Sequence, residues 1–162
     1  MNVTRKGQVF SLAGEQLQVG TQAPSFRLKD QYFKEFHLDD YQGQTILLSV
    51  VPDINTRVCS LQTRRFNQEA AELKDIQFVT ISNNTAQEQA GWCAAKGIDV
   101  RLLHDTDLVF GQAYGLYLPD FGHLARAVLV IDGTGTLIYQ EILTDISEEP
   151  NYHKAITAAQ QA

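Results

Sequence analysis

Cysteine is scarce in this sequence: two residues, Cys59 and Cys93, in a chain of 162. Two are too few for a disulfide scaffold, and they do not form the Cys-x-x-Cys pair of a disulfide donor. There is no Gly-x-Ser-x-Gly nucleophile elbow. Gly133 and Gly135 sit in a hairpin turn and not at a strand-to-helix cradle, so no phosphate loop is present. His37, His104, His123 and His153 are scattered without metal-ligand spacing, and neither a metal nor a cofactor is expected. The longest apolar runs, Ile46–Val51 (broken by Ser49) and Ala127–Ile131, fall far short of the ~20 residues of a membrane helix. Basic residues number 13 against 19 acidic ones, for a formal net charge of −6, and no Lys/Arg-rich stripe exists. A dedicated nucleic-acid binder is therefore not expected. The stretch Met1–Gly7 has no apolar core segment and no small-residue cleavage site, so the expectation is no secretory signal and a cytoplasmic location.

What is present is ordinary globular composition, 44% hydrophobic and 20% charged. The expected organisation is one domain over residues 1–162, long enough to bury roughly 68–70% of the surface of its unfolded chain. Gln8–Leu12 and Glu15–Val19 flank Ala13-Gly14 and read as an N-terminal hairpin extension within residues 1–20. Phe26–Leu28 and Glu35–Leu38 are short strand candidates. Ile46–Val51 is nearly continuous apolar, the pattern of a strand covered on both faces, and it stops at Pro52. Phe66, Ala70 and Leu73 then recur at helical spacing. Ile76–Ile81 follows as a strand. Thr85 and Glu88 form a capping box opening a helix through Trp92 and Cys93 to Lys96, with Gly97 at its end. Val100–Leu103 reads as a strand and Asp107–Tyr114 as a short helix closed by Gly115. Arg126–Ile131 and Thr136–Leu143 flank Asp132–Gly135 as a second hairpin, and Pro150 suits the first turn of a last helix through Ala159. Strands alternating with helices, closed by a hairpin, give an α/β fold with a central mixed sheet flanked by helices. This is the thioredoxin-like layout with an added N-terminal β-hairpin. A site is expected beyond the carboxyl end of a central strand.

The junction Val51–Cys59 has the most chemical content. A helix starting around Thr56, a good N-cap type, places Cys59 in its first turn. The unpaired amides and positive helix end there favour an anion, and a thiolate is one. A free thiol ionises near 8.5, whereas helix N-termini or adjacent cations bring cysteines to about 3.5–7.5. Thr56 shares a helix face with Cys59, so its hydroxyl can reach the sulfur and an incoming oxygen. Pro52 fixes the loop entry. Arg126 heads the apolar strand Ala127–Ile131, where a charge needs a partner. The competing readings are a small core cysteine, ordinary junction punctuation and an arginine paired to a surface carboxylate. Phe110, Tyr114, Tyr117 and Phe121 read as core and interface aromatics.

Ser49-Val50-Val51-Pro52, Thr56, Val58-Cys59 and Leu61–Asn67 closely resemble the active-site stretch of the thiol peroxidase subfamily of peroxiredoxins. The resemblance continues through Trp92-Cys93, Phe110–Gly115, Leu124–Val128 and Ile146–Tyr152. It implies a thioredoxin-like fold, Cys59 as peroxidatic cysteine, Cys93 as resolving cysteine, and Thr56, Pro52 and Arg126 as the groups around the sulfur. It also implies hydrogen peroxide and alkyl hydroperoxides as substrates, an intrachain Cys59–Cys93 disulfide, thioredoxin as reductant and a homodimer. One departure stands out: the subfamily usually has Pro directly after the Thr, and here it is Arg57. Two other readings use the same residues, a redox sensor that switches without sustained turnover and a scaffold with inert thiols.

Overall fold

A computed structural model of the chain describes the backbone of residues 1–162 and every side chain except those of Ala70 and Ala71. The strands are β1 (Asn2–Arg5), β2 (Gln8–Ser11), β3 (Arg27–Asp30), β4 (Glu35–His37), β5 (Thr45–Val50), β6 (Ile76–Ser82), β7 (Leu102–His104), β8 (Tyr117–Leu118), β9 (His123–Leu124), β10 (Ala127–Ile131) and β11 (Leu137–Ile142). The helices are α1 (Arg57–Ala71), α2 (Ala86–Lys96), α3 (Val109–Ala113) and α4 (Tyr152–Gln160). Seven strands form one mixed sheet in the order β11-β10-β5-β6-β7-β3-β4. β5, β6 and β7 run parallel; β10 and β3 join them antiparallel on either side.

β5 shows why the centre of the sheet reads as apolar. Ile46, Leu48 and Val50 enter one core with Phe26, Phe36, Phe110 and Tyr114, while Leu47 enters another with Phe66, Val128, Val130 and Ala155. Side chains alternate across a strand, so a strand covered on both faces must be apolar at every position. The exception is Ser49, fully buried and hydrogen-bonded to Gln62 of α1. α1 and α4 cover the Leu47 face. α2 closes a smaller core beside it, built from Val51, Ile54, Cys59, Trp92, Cys93, Val100 and Leu102. Helix α1 buries Phe66 as expected; the Ala70 side chain lies outside the described residues, and Leu73 falls beyond the helix end.

The capping box at Thr85 and Glu88 and the left-handed Gly97 end α2 as expected. Three local expectations change. The N-terminal hairpin turns at Lys6-Gly7, not Ala13-Gly14, because Lys6 and Gly7 both take positive φ (50° and 78°), the requirement of a two-residue turn of this hand. Glu15–Val19 is not a strand. Ala13 N–H instead donates to Tyr117 O and Gly20 N–H to Leu137 O, so this segment is spent on docking against distant strands. α4 is capped by Asn151, whose side chain accepts from Lys154 N–H, and Pro150 precedes the cap.

Gly115 closes the turn after α3 at φ +65°, with the Glu15 carbonyl directly where a Cβ would stand. Gly115→Ala is expected to cost at least ~1–3 kcal/mol from the strained backbone alone. A lower midpoint in urea denaturation checks this.

Candidate active site

The site lies past the carboxyl end of β5, where the chain leaves the sheet through Val51-Pro52 and re-enters order at α1. This is the strand-to-helix junction marked by the sequence pattern. α1 begins at Arg57, so Thr56 flanks it and Cys59 falls in its first turn. The connecting loop is pinned from β6 and the start of α2. The Asn84 side chain accepts from Ile54 N–H (2.9 Å) and donates to Asp53 Oδ1 (3.0 Å). That clamp turns the Asp53 backbone amide toward Cys59, and Asp53 N–H donates to the sulfur at 3.4 Å.

The second donor to the sulfur is Arg126. The residue is 2% exposed and each of its guanidinium nitrogens donates once: Nε to Ile146 O (2.8 Å), Nη1 to Gln62 Oε1 (2.9 Å) and Nη2 to Cys59 Sγ (3.2 Å). Among the described residues no carboxylate lies within ion-pair distance of it. The surface-carboxylate reading of Arg126 therefore fails on geometry. A buried cation without an anionic partner is costly, and several kcal/mol of desolvation press on whichever neighbour can carry negative charge. The neighbour here is the Cys59 sulfur.

Gln62, fully buried, fixes the guanidinium. Its amide nitrogen donates to Ser49 Oγ (2.9 Å), which leaves its oxygen to face Arg126. Neither Gln62 nor Asn84 was singled out from sequence. Gln62 carried a signal, since Cys59, Gln62 and Phe66 share the inward stripe of α1 and a polar residue in that stripe needs a buried partner.

Thr56 lines the same cavity but does not bond to the sulfur. Its hydroxyl donates to Asp53 O at 2.7 Å. With its proton committed there, the oxygen is left to accept. Pro52 is buried at the cavity wall. The cavity holds about 230 Å³ and is lined by Pro52, Val58, Phe121 and Ile146 as well as Cys59 and Arg126, with Arg5, Lys6 and Arg57 also contributing. Cys59 itself is almost wholly buried, so the cavity is its route to small molecules. Arg57 is exposed.

Cys93 sits on α2, buried in the apolar core that also contains Cys59, and both thiols are free. Burial pushes the Cys93 thiol up from its ordinary range, and nearby Asp99 adds to this. The structure thus brings Cys59, Arg126, Thr56 and Pro52 around one cavity and puts Cys93 in the core behind it. Among the described residues no group of His, Cys, Asp and Glu is arranged to hold a metal. No described helix is long and apolar enough to cross a membrane.

Residues 19–140 match the model of the AhpC/TSA family, so the chain belongs to that family and is an enzyme of the peroxiredoxin type. Its relatives over nearly the whole length are thiol peroxidases. That of Bacillus subtilis is 43% identical over 159 residues, covering 97% of this chain and 95% of the relative. That of Listeria monocytogenes is 41% identical over 162 residues, covering 99% and 98%. Among solved structures, a peroxiredoxin-like protein of Aquifex aeolicus superposes with a TM-score of 0.92 at 27% identity, covering 99% of this chain and 96% of that one. The thiol peroxidase of Chromobacterium violaceum, 16% identical with a TM-score of 0.88, shares the fold.

Arg57 at the first helical position opposes the helix dipole by roughly 0.3–1 kcal/mol. It lines the cavity but is exposed and makes no hydrogen bond to the sulfur. Arg57→Pro is therefore expected to change the second-order rate constant with peroxide by less than about fivefold. Competition kinetics checks it, and complete loss would show that the loop acts differently.

Proposed function

We propose that the protein is a peroxidase that reduces hydroperoxides by cysteine chemistry alone, with Cys59 as the attacking group. The observation that carries this is the buried, carboxylate-free Arg126 held 3.2 Å from the Cys59 sulfur at the wall of a small cavity. The Cys59 thiolate attacks one peroxide oxygen. The O–O bond breaks, the sulfur is oxidised to a sulfenic acid, and the other oxygen leaves as an alcohol or water once protonated. Arg126 and the Asp53 amide, already aimed at the sulfur, neutralise charge along the S–O–O line, and the Thr56 oxygen accepts from the peroxide O–H. Apolar walls at Pro52, Val58, Phe121 and Ile146 suit alkyl hydroperoxides as well as hydrogen peroxide.

Cys93 then attacks the sulfenic acid. Its S–H and the Cys59 S–O bonds break, a Cys59–Cys93 disulfide forms, and water leaves. Such a bond needs Cα atoms about 4.4–6.8 Å apart. The two residues ride on separate helices, so the first turn of α1 or the middle of α2 unwinds during closure. Thioredoxin as reductant, a homodimer, a cytoplasmic location and one catalytic domain spanning residues 1–162 complete the proposal; the family and the thiol peroxidase relatives support them.

The test is intact mass after one equivalent of hydrogen peroxide. The wild type is expected to lose two hydrogens. Cys93→Ser is expected to gain one oxygen or to form an intermolecular dimer. Sustained NADPH consumption with thioredoxin and its reductase is expected alongside. A single stoichiometric oxidation without turnover would favour the sensor reading, and no change in mass would refute the peroxidase.

A further inference from the structure

The β3–β4 turn presents a side chain that the peroxide chemistry does not use. Asp30 stiffens this turn: one carboxylate oxygen accepts from both Tyr32 N–H and Lys34 N–H at 2.9 Å, and the other faces Arg101 Nε at 3.5 Å. Held this way, the turn sends Gln31 inward, where it is 4% exposed. A buried amide is costly unless satisfied. Gln31 Oε1 accepts from Leu102 N–H (3.0 Å), while Nε2 donates to Val100 O (2.7 Å) and to Cys93 Sγ (3.7 Å). The Leu102 amide fixes the orientation. A donor must meet the oxygen, so the nitrogen must face the sulfur.

We propose that Gln31 is a positioning residue for the disulfide-forming step, holding the Cys93 sulfur with an N–H donor as that sulfur gives up its proton and attacks. The inference rests on the reading of Cys93 as the resolving cysteine. In that step the Cys93 S–H and Cys59 S–O bonds break and the S–S bond forms. The Cys93 proton leaves in the released water, and the oxidant is the sulfenic acid already made from peroxide. Burial holds Cys93 in its protonated form, and a donor aimed at the sulfur favours the anion that the attack requires. When the sulfur swings toward Cys59, Gln31 keeps its bonds to Val100 and Leu102, so no buried backbone group there is orphaned and β7 stays docked. The other titratable groups around the sulfur are Asp99 after α2, Tyr32 on the turn, and Cys59 across the core.

The test uses the reduced full-length protein and hydrogen peroxide in stopped flow. Trp92, the sole tryptophan, neighbours Cys93 and donates to Ser60 Oγ beside Cys59, so its emission reports closure; quenched mass spectrometry assigns each phase. Gln31→Met removes every polar partner at similar length. Gln31→Glu keeps the acceptor for Leu102 N–H but cannot donate to sulfur, and it serves if the first variant fails to fold. Sulfenic acid formation is expected within about twofold of wild type in both. Disulfide closure is expected to slow roughly tenfold in Gln31→Met from about pH 7 to about pH 9, where burial keeps the Cys93 thiol protonated in both proteins, with the deficit shrinking only above that range, and Cys59 sulfinic acid is expected to accumulate under excess peroxide. Gln31→Glu is expected to be slowed at least as much and not to recover. Unchanged closure, or a slowing that does not shrink above that range, would overturn the proposal. A wild type that forms no disulfide would instead overturn the reading of Cys93.

Discussion

The arrangement around Cys59 depends on a cation that has been taken out of water without a carboxylate to meet it. Arg126 heads β10, inside the molecule, and its three nitrogens donate to a carbonyl, a glutamine oxygen and a sulfur. Two of those acceptors are neutral and cannot discharge it. The third can become an anion, and in doing so it turns a destabilising burial into an ion pair. The proposed role of Cys59 as nucleophile rests on this contact with the buried guanidinium. The amide end of α1 and the Asp53 N–H act in the same direction.

Each support for that pair belongs to a different element. Gln62 of α1 orients the guanidinium and is itself oriented by Ser49 of β5. Asn84, between β6 and α2, aims the Asp53 amide, and Ile146, beyond β11, receives Nε. The site is thus assembled only when the parallel centre of the sheet, both of its flanking helices and the closing hairpin are in place. Cys93 has the opposite environment, an apolar core and a carboxylate neighbour that favour the neutral thiol. Two cysteines in one cluster thus have different neighbours, a guanidinium at Cys59 and a carboxylate near Cys93, and the proposed division of roles rests on that difference.

Much of this was legible in the chain. Strand β5 announced itself by six consecutive mostly apolar residues, and Thr85, Glu88 and Gly97 wrote the limits of α2 in local capping chemistry. Cys59, Thr56 and Pro52 lie within eight residues of one another, so the loop itself brought them together. Arg126 could be picked out because a charge at the head of an apolar strand demands a partner, though not which partner. Gln62 carried only the weak signal of a polar residue in an inward helical stripe, while Asn84 and Gln31 were silent because they act between elements, and such side chains look like any polar residue until the fold places them. Thr56 was located but not its bond: the Asp53 carbonyl captured its hydroxyl. The first hairpin was misplaced for a similar reason. Ala13-Gly14 has turn composition, yet its backbone is claimed by Tyr117, and that competition is tertiary.

The central proposal is that the Arg126 contact makes the Cys59 sulfur the attacking group. The most direct measurement is the rate of Cys59 alkylation by iodoacetamide in Cys93→Ser at about pH 7, with and without Arg126→Gln. The account predicts that replacing Arg126 slows alkylation at least about tenfold. An equal rate in both proteins would contradict it.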